Sequence, residues 1–97
     1  MRPLREDAAK AARATRVVKA LAHPDRLRIV AMLCEQDATI PDLAARLRLA
    51  PSTVARQLVP LLRLGLVAPA GAPGALAYRV AEPTLHGLVA CMEECGR

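Results

Sequence analysis

Apolar residues recur at helical spacing along most of this chain, and the period changes only once. Ala11, Val17, Val18 and Leu21 form one side of a stretch rich in Ala, Lys and Arg, which predicts a helix over residues 7–22. His23-Pro24-Asp25 interrupts it and opens a second helix, with Pro24 suited to a first turn and Asp25 facing the positive helix end. Leu27, Val30, Ala31 and Cys34 supply the stripe of that helix, and residues 35–38 read as a polar loop. Ile40, Leu43, Ala44 and Leu47 then follow the i, i+3, i+4, i+7 pattern of a third helix. Thr39, three residues ahead of Asp42, is placed to cap it. After a break at 48–50 a fourth helix starts near Pro51, where a missing N–H has no partner to lose, and Gly65 ends it. Its Val54, Leu58, Leu61 and Leu62 point inward.

Beyond Gly65 the period shortens. Leu66 to Ala70 is a short apolar run, residues 71–74 (GAPG) are a turn by composition, and residues 75–80 alternate with Leu76, Tyr78 and Val80 on one side. Glu82-Pro83 opens a last helix carrying Leu85, Leu88, Val89, Met92 and Cys95. The fold class is therefore mainly α with a small β-hairpin. The order is that of a winged helix-turn-helix with an extra helix at each end, and residues 1–97 form one domain. The helix-turn-helix covers about 39–65 and the wing about 66–80.

Composition sharpens this picture. Of 97 residues none is Phe or Trp and one is Tyr, so the core must be built from small aliphatics, which bury less area each. Such a domain gains from a second subunit over an apolar helix face, and a homodimer is expected. A net charge of +5 and a pI near 9.9 favour a polyanionic partner. No run approaches the ~20 apolar residues that span a bilayer, and MRPLREDAAK lacks the apolar stretch of a secretory leader. Three Cys without the spacing of a disulfide framework fit a cytoplasmic chain with reduced thiols.

On the fourth helix the inward residues leave Ser52, Thr53, Arg56 and Gln57 facing out, groups that pair with phosphates and base edges. Arg56 suits phosphate, whereas Ser52, Thr53 and Gln57 are better placed for bases. Arg63 and Arg79 add cations near the helix end and on the wing. Double-stranded DNA is the expected partner. No nucleophile–base–orienter set and no glycine-rich phosphate loop is present, so an enzyme is not expected.

The segments ALAHPDRLRIVAML (20–33), IPDLAARLRLAPSTVARQL (40–58), LRLGLV (62–67) and AYRVAEP (77–83) together resemble the ArsR/SmtB family of small bacterial winged-helix repressors. They span about two-thirds of the chain in the family's order. The resemblance implies a homodimer formed by the first and last helices (about 7–22 and 84–95). It also implies operator binding through the helix around 52–64, and release when an inducer binds. Three departures stand out. The Cys-x-Cys of the founding arsenic sensors is replaced by Ile40-Pro41-Asp42-Leu43. Near the family's last-helix metal site only Glu82 and His86 remain, and one His is too few for zinc. Finally, Pro60 lies inside the DNA-reading helix, at ~3 kcal/mol or a kink, and the turn GAPG carries no cation.

The cysteines are the candidates for sensing. Cys91 and Cys95, four apart, share a helix face, and Cys34 lies on the second helix, which this fold packs near the last. Three converging thiolates would suit As(III) or another thiophilic ion, and two could form a regulatory disulfide or polysulfide bridge. Cys34 also completes an apolar stripe, the position of a plain core residue. His23 reads as a helix-starting residue and His86 as solvated or at the dimer edge. Two other functions remain open: a winged-helix protein-interaction module that has lost DNA binding, and a constitutive DNA binder without an inducer.

Overall fold

In the computed structural model, which describes residues 2–72, 74 and 76–95, most α-helices begin at a side-chain cap. After a 3-10 turn at Leu4–Glu6, α1 spans Ala8–Leu21, and the Asp7 carboxylate accepts from the Lys10 amide at 3.0 Å. Helix α2 spans Pro24–Glu35; the His23 ring nitrogen Nδ1 accepts from the Asp25 amide at 3.2 Å. Helix α3 spans Ile40–Leu47 and starts with a reciprocal cap: Thr39 Oγ1 accepts from the Asp42 amide, and Asp42 Oδ2 from the Thr39 amide, both at 3.2 Å. Helix α4 spans Pro51–Arg63 and ends at Gly65, whose φ of +70° is free of strain only for glycine.

The sheet is three-stranded and antiparallel. Strands β2 (Val67–Ala70) and β3 (Ala77–Val80) form the hairpin, and β1 (Ala38–Thr39) pairs with the other side of β3, giving the order β1-β3-β2. The polar loop expected over 35–38 thus ends in a short strand. A two-residue strand leaves no periodic signal; Ala38, opposite Tyr78 and buried, is what anchors it. In the hairpin Tyr78 is buried and Val80 half-buried, but Leu76 precedes the strand and is 55% exposed, so it does not share their side. Pro73 and Ala75, part of the expected turn and strand start, lie outside the described residues. Helix α5 spans Thr84–Cys95; the Glu82 carboxylate accepts from the Thr84 amide at 2.9 Å and from its hydroxyl at 2.8 Å. Those bonds lower the Glu82 pKa.

Helix α2 is central, touching α1, α3, α4, α5 and β3. That setting corrects its expected stripe. The buried residues are Ile29, Val30, Met32 and Leu33, while Leu27, Ala31 and Cys34 are only half-buried. A helix with neighbours on several sides buries residues on more than one face, so one stripe underdescribes it. The deepest side chains are aliphatic: Ile29, Val30, Leu43, Val54, Leu58, Leu61, Val67 and Leu85. Among the described residues no helix is long and apolar enough to cross a membrane.

Truncation of Leu58, 1% exposed, is expected to destabilise the fold by about 2–5 kcal/mol in chemical denaturation, because buried aliphatic surface is lost and the packed surroundings close the cavity only in part. Val59→Ala on the adjacent exposed position should cost far less.

Candidate nucleic-acid interface

Helices α3 and α4 meet through a turn of three residues. Arg48 ends α3 at φ +57°, the one non-glycine residue with positive φ among those described, and the Leu49 amide donates to Ala44 O at 3.0 Å. A left-handed residue reverses the chain in minimal length, so α4 can leave at a steep angle to α3. Arg28 of α2 fixes the same corner: its Nη2 donates to Leu47 O at 2.8 Å, and Nη1 lies 3.7 Å from Asp25.

Val54, Leu58 and Leu61 bury one face of α4, as the spacing predicts, and Leu62 is half-buried. The opposite face carries Ser52, Ala55, Arg56, Val59 and Arg63, all exposed, with Thr53 half-buried at its margin. Gln57 departs from expectation. It is 8% exposed, the only buried polar residue among those described, and its Oε1 accepts from Arg26 Nε at 2.7 Å. It therefore does not stand on the outward face. The apolar repeat contains the reason: counted from Val54, the i+3, i+4 and i+7 positions are Gln57, Leu58 and Leu61, so a glutamine occupies a core position. Arg26 is the partner that sequence reasoning passed over. It is half-buried, and its Nη1 also donates to Ala20 O, at 3.4 Å, near the end of α1.

Pro60 does not interrupt α4, which continues to Arg63, with the Leu64 amide donating to Pro60 O at 3.2 Å. It stands within the final turn, where the loss is one amide donor to the Arg56 carbonyl. The wing holds Arg79 exposed on β3, opposite Ala68, and its tip is formed with Gly71 and Gly74 at φ +92° and +86°. Among the described residues the side chains of Arg46, Arg48, Arg56, Arg63 and Arg79 make no hydrogen bond or ion pair. Their charges are available to a polyanion, whereas Arg26 and Arg28 are committed to the fold.

The three thiols are free and differently placed. Cys91 and Cys95 are exposed on α5, and Cys34 is half-buried in a cleft lined by Arg28, Ala31, Arg46, His86 and Val89. Burial pushes the Cys34 thiol pKa up. Among the described residues no group of three or more His, Cys, Asp or Glu is placed to hold a metal ion. Their helices touch, but the thiols sit at different depths and positions along them.

Helix-turn-helix, a hairpin wing in a three-stranded sheet and flanking helices define a winged helix-turn-helix protein. Residues 23–68 match the family model described as bacterial regulatory protein, arsR family. An uncharacterized HTH-type transcriptional regulator of Mycobacterium tuberculosis, Rv0081, is 37% identical over 73 residues, 74% of this chain and 64% of the relative. The chain thus aligns with slightly less than two-thirds of that curated relative. The Rv0081 crystal structure matches with a TM-score of 0.75 at 31% identity, over 92% of this chain and 89% of that one. The transcriptional repressor BigR of Xylella fastidiosa matches with a TM-score of 0.84 at 28% identity, over 94% of each chain. The homodimeric winged helix-turn-helix DNA-binding domain of Mb0332 from Mycobacterium bovis matches at 0.80 and 25% identity, over 99% and 87%. The chain belongs to the ArsR family.

Because the thiolate is the nucleophile, Cys34 should alkylate more slowly than Cys91 and Cys95 when timed iodoacetamide labelling at neutral pH is followed by mass spectrometry. Equal rates at all three would contradict the placement of Cys34.

Proposed function

We propose that this chain is a homodimeric transcriptional repressor that lays α4 of each subunit in the major groove of an inverted repeat. Half-sites would be about one helical turn apart, or a multiple of that. The observation that carries this is the outward face of α4, where Ser52, Arg56 and Arg63 stand exposed on a helix whose other face is fully seated. Arg56, Arg63 and Arg79 bind phosphate, and Ser52 and Thr53 meet base edges. The intact α4 favours this reading over a protein-interaction module, since Pro60 leaves the helix continuous.

The dimer forms through α1 and α5. Val18 is 62% exposed and Met92 39%, and with Leu21, Ala22, Leu27 and Leu88 they line an apolar groove between α1, α2 and α5. Such a patch rimmed by charge fits a subunit contact. Rv0081, BigR and Mb0332 share the fold, and Mb0332 is described as a homodimer.

The inducer is thiol-directed and acts at Cys91 and Cys95, the accessible pair on a dimer-forming helix, with an oxidant, reactive sulfur or As(III) as the reagent class. A modification there changes the packing of α5 and so the spacing of the two α4 helices.

The fully reduced protein, incubated with a random duplex pool, should enrich an inverted repeat; a folded dimer that enriches nothing would refute the reading. On the enriched duplex Arg56→Ala should weaken binding and lower the slope of log K against log salt by about 1. The C91S/C95S variant should keep its affinity under oxidant and arsenite that release the wild type. Release of both alike would remove those thiols from the mechanism.

A further inference from the structure

The buried polar pair between α2 and α4 has a role beyond filling space. We infer that Arg26 is a positioning residue for DNA recognition, acting through Gln57 to fix the rotation of α4; this rests on the DNA-binding reading above. Three observations carry the inference. Gln57 occupies a core position of α4 yet is polar, and Arg26 Nε reaches it at 2.7 Å. The same guanidinium donates to Ala20 O at 3.4 Å, one of the last carbonyls of α1 that lack an intrahelical partner. The remaining seat of α4 is Val54, Leu58 and Leu61, aliphatic side chains whose packing has no directional bond.

Stability alone does not call for this pair. A leucine at position 57 would complete the apolar stripe, and replacing both partners of a buried hydrogen bond by apolar groups is often nearly neutral. What a charge-assisted bond adds is direction. A helix with its side chains is about 5–6 Å in radius, so a roll of about 20° carries an outward side-chain tip by about 2 Å. That displacement exceeds the tolerance of a hydrogen bond to a base edge. Arg26 thus holds Ser52, Thr53 and Arg56 in register with the groove while touching no DNA itself. Through Ala20 O it also ties that register to the end of α1, beside Leu21 in the apolar groove.

The test uses the whole chain and the duplex that the wild type enriches from a random pool, with a scrambled duplex as control. Arg26→Met, Gln57→Leu, the double variant R26M/Q57L and Gln57→Glu are compared for affinity, thermal midpoint and dimer state. The double variant should remain a folded dimer with a midpoint close to wild type. It should bind the enriched duplex roughly tenfold or more weakly, with the scrambled duplex changed less than about twofold. Arg26→Met, which leaves Gln57 in place, should show the same selective loss. Gln57→Glu keeps an acceptor oxygen for Arg26 and should recover most of the affinity.

A double variant that binds the enriched duplex as wild type does would overturn the role of Arg26 and leave the DNA-binding reading standing. Loss confined to Gln57 variants, with Arg26→Met unaffected, would overturn it too and show that Gln57 meets DNA directly. Losses on both duplexes in proportion to lost stability would reduce the pair to a structural one. A wild type that enriches no duplex would overturn the DNA-binding reading, and the role of Arg26 with it.

Discussion

Val54, Leu58 and Leu61 hold α4 against a core of leucine, valine and isoleucine, and what the chain presents to solvent is arranged by that seat. With each of the three at most 1% exposed, the helix has one face committed and one face free. The free face then follows from geometry: Ser52, Ala55, Arg56, Val59 and Arg63 have nowhere else to point. The core is largely aliphatic, with Tyr78 its one aromatic ring, so most of its packing has no directional bond. Direction comes from polar contacts. The two arginines of LAHPDRLRI supply it, Arg26 by bonding the side chain of Gln57 on α4 and Arg28 by bonding the last carbonyl of α3.

Charge on this chain therefore divides into two populations that composition alone does not separate. Half-buried Arg26 and exposed Arg28 are both committed to helix-to-helix ties. Arg46, Arg48, Arg56, Arg63 and Arg79 stand free among the described residues and carry the basic character outward. Arg48 is notable because its backbone is held at φ +57°, where glycine would cost less. The wing contributes little charge, so affinity on this account rests on α4 and the turn before it rather than on the hairpin.

Much of this architecture was legible in the sequence. Caps and breakers marked most helix starts: His23-Pro24, Thr39 with Asp42, Pro51, and Glu82-Pro83. The inward face of α4 followed directly from its period. Three features were not legible, each for a physical reason. Strand β1 is two residues long and exists only because β3 pairs with it, which is a long-range contact. Helix α2 is enclosed on several sides, so its core residues Ile29, Met32 and Leu33 fall outside the single stripe that amphipathic spacing suggests. Gln57 was assigned by residue type, whereas its place in the i, i+3, i+4, i+7 repeat pointed inward; polarity misled because its partner, Arg26, lies 31 residues away on another helix.

On the proposed reading the outward stripe of α4, and not its buried glutamine, meets DNA. The most direct test is a titration of the isotope-labelled protein with its enriched duplex, followed through amide and side-chain resonances. The account predicts the largest shifts at Ser52, Thr53, Arg56 and Arg63, with the Arg26 Nε–H signal retained and the Gln57 side-chain amide little changed. Shifts concentrated on α1 and α5, or a Gln57 side chain perturbed more than Ser52 and Arg56, would contradict it.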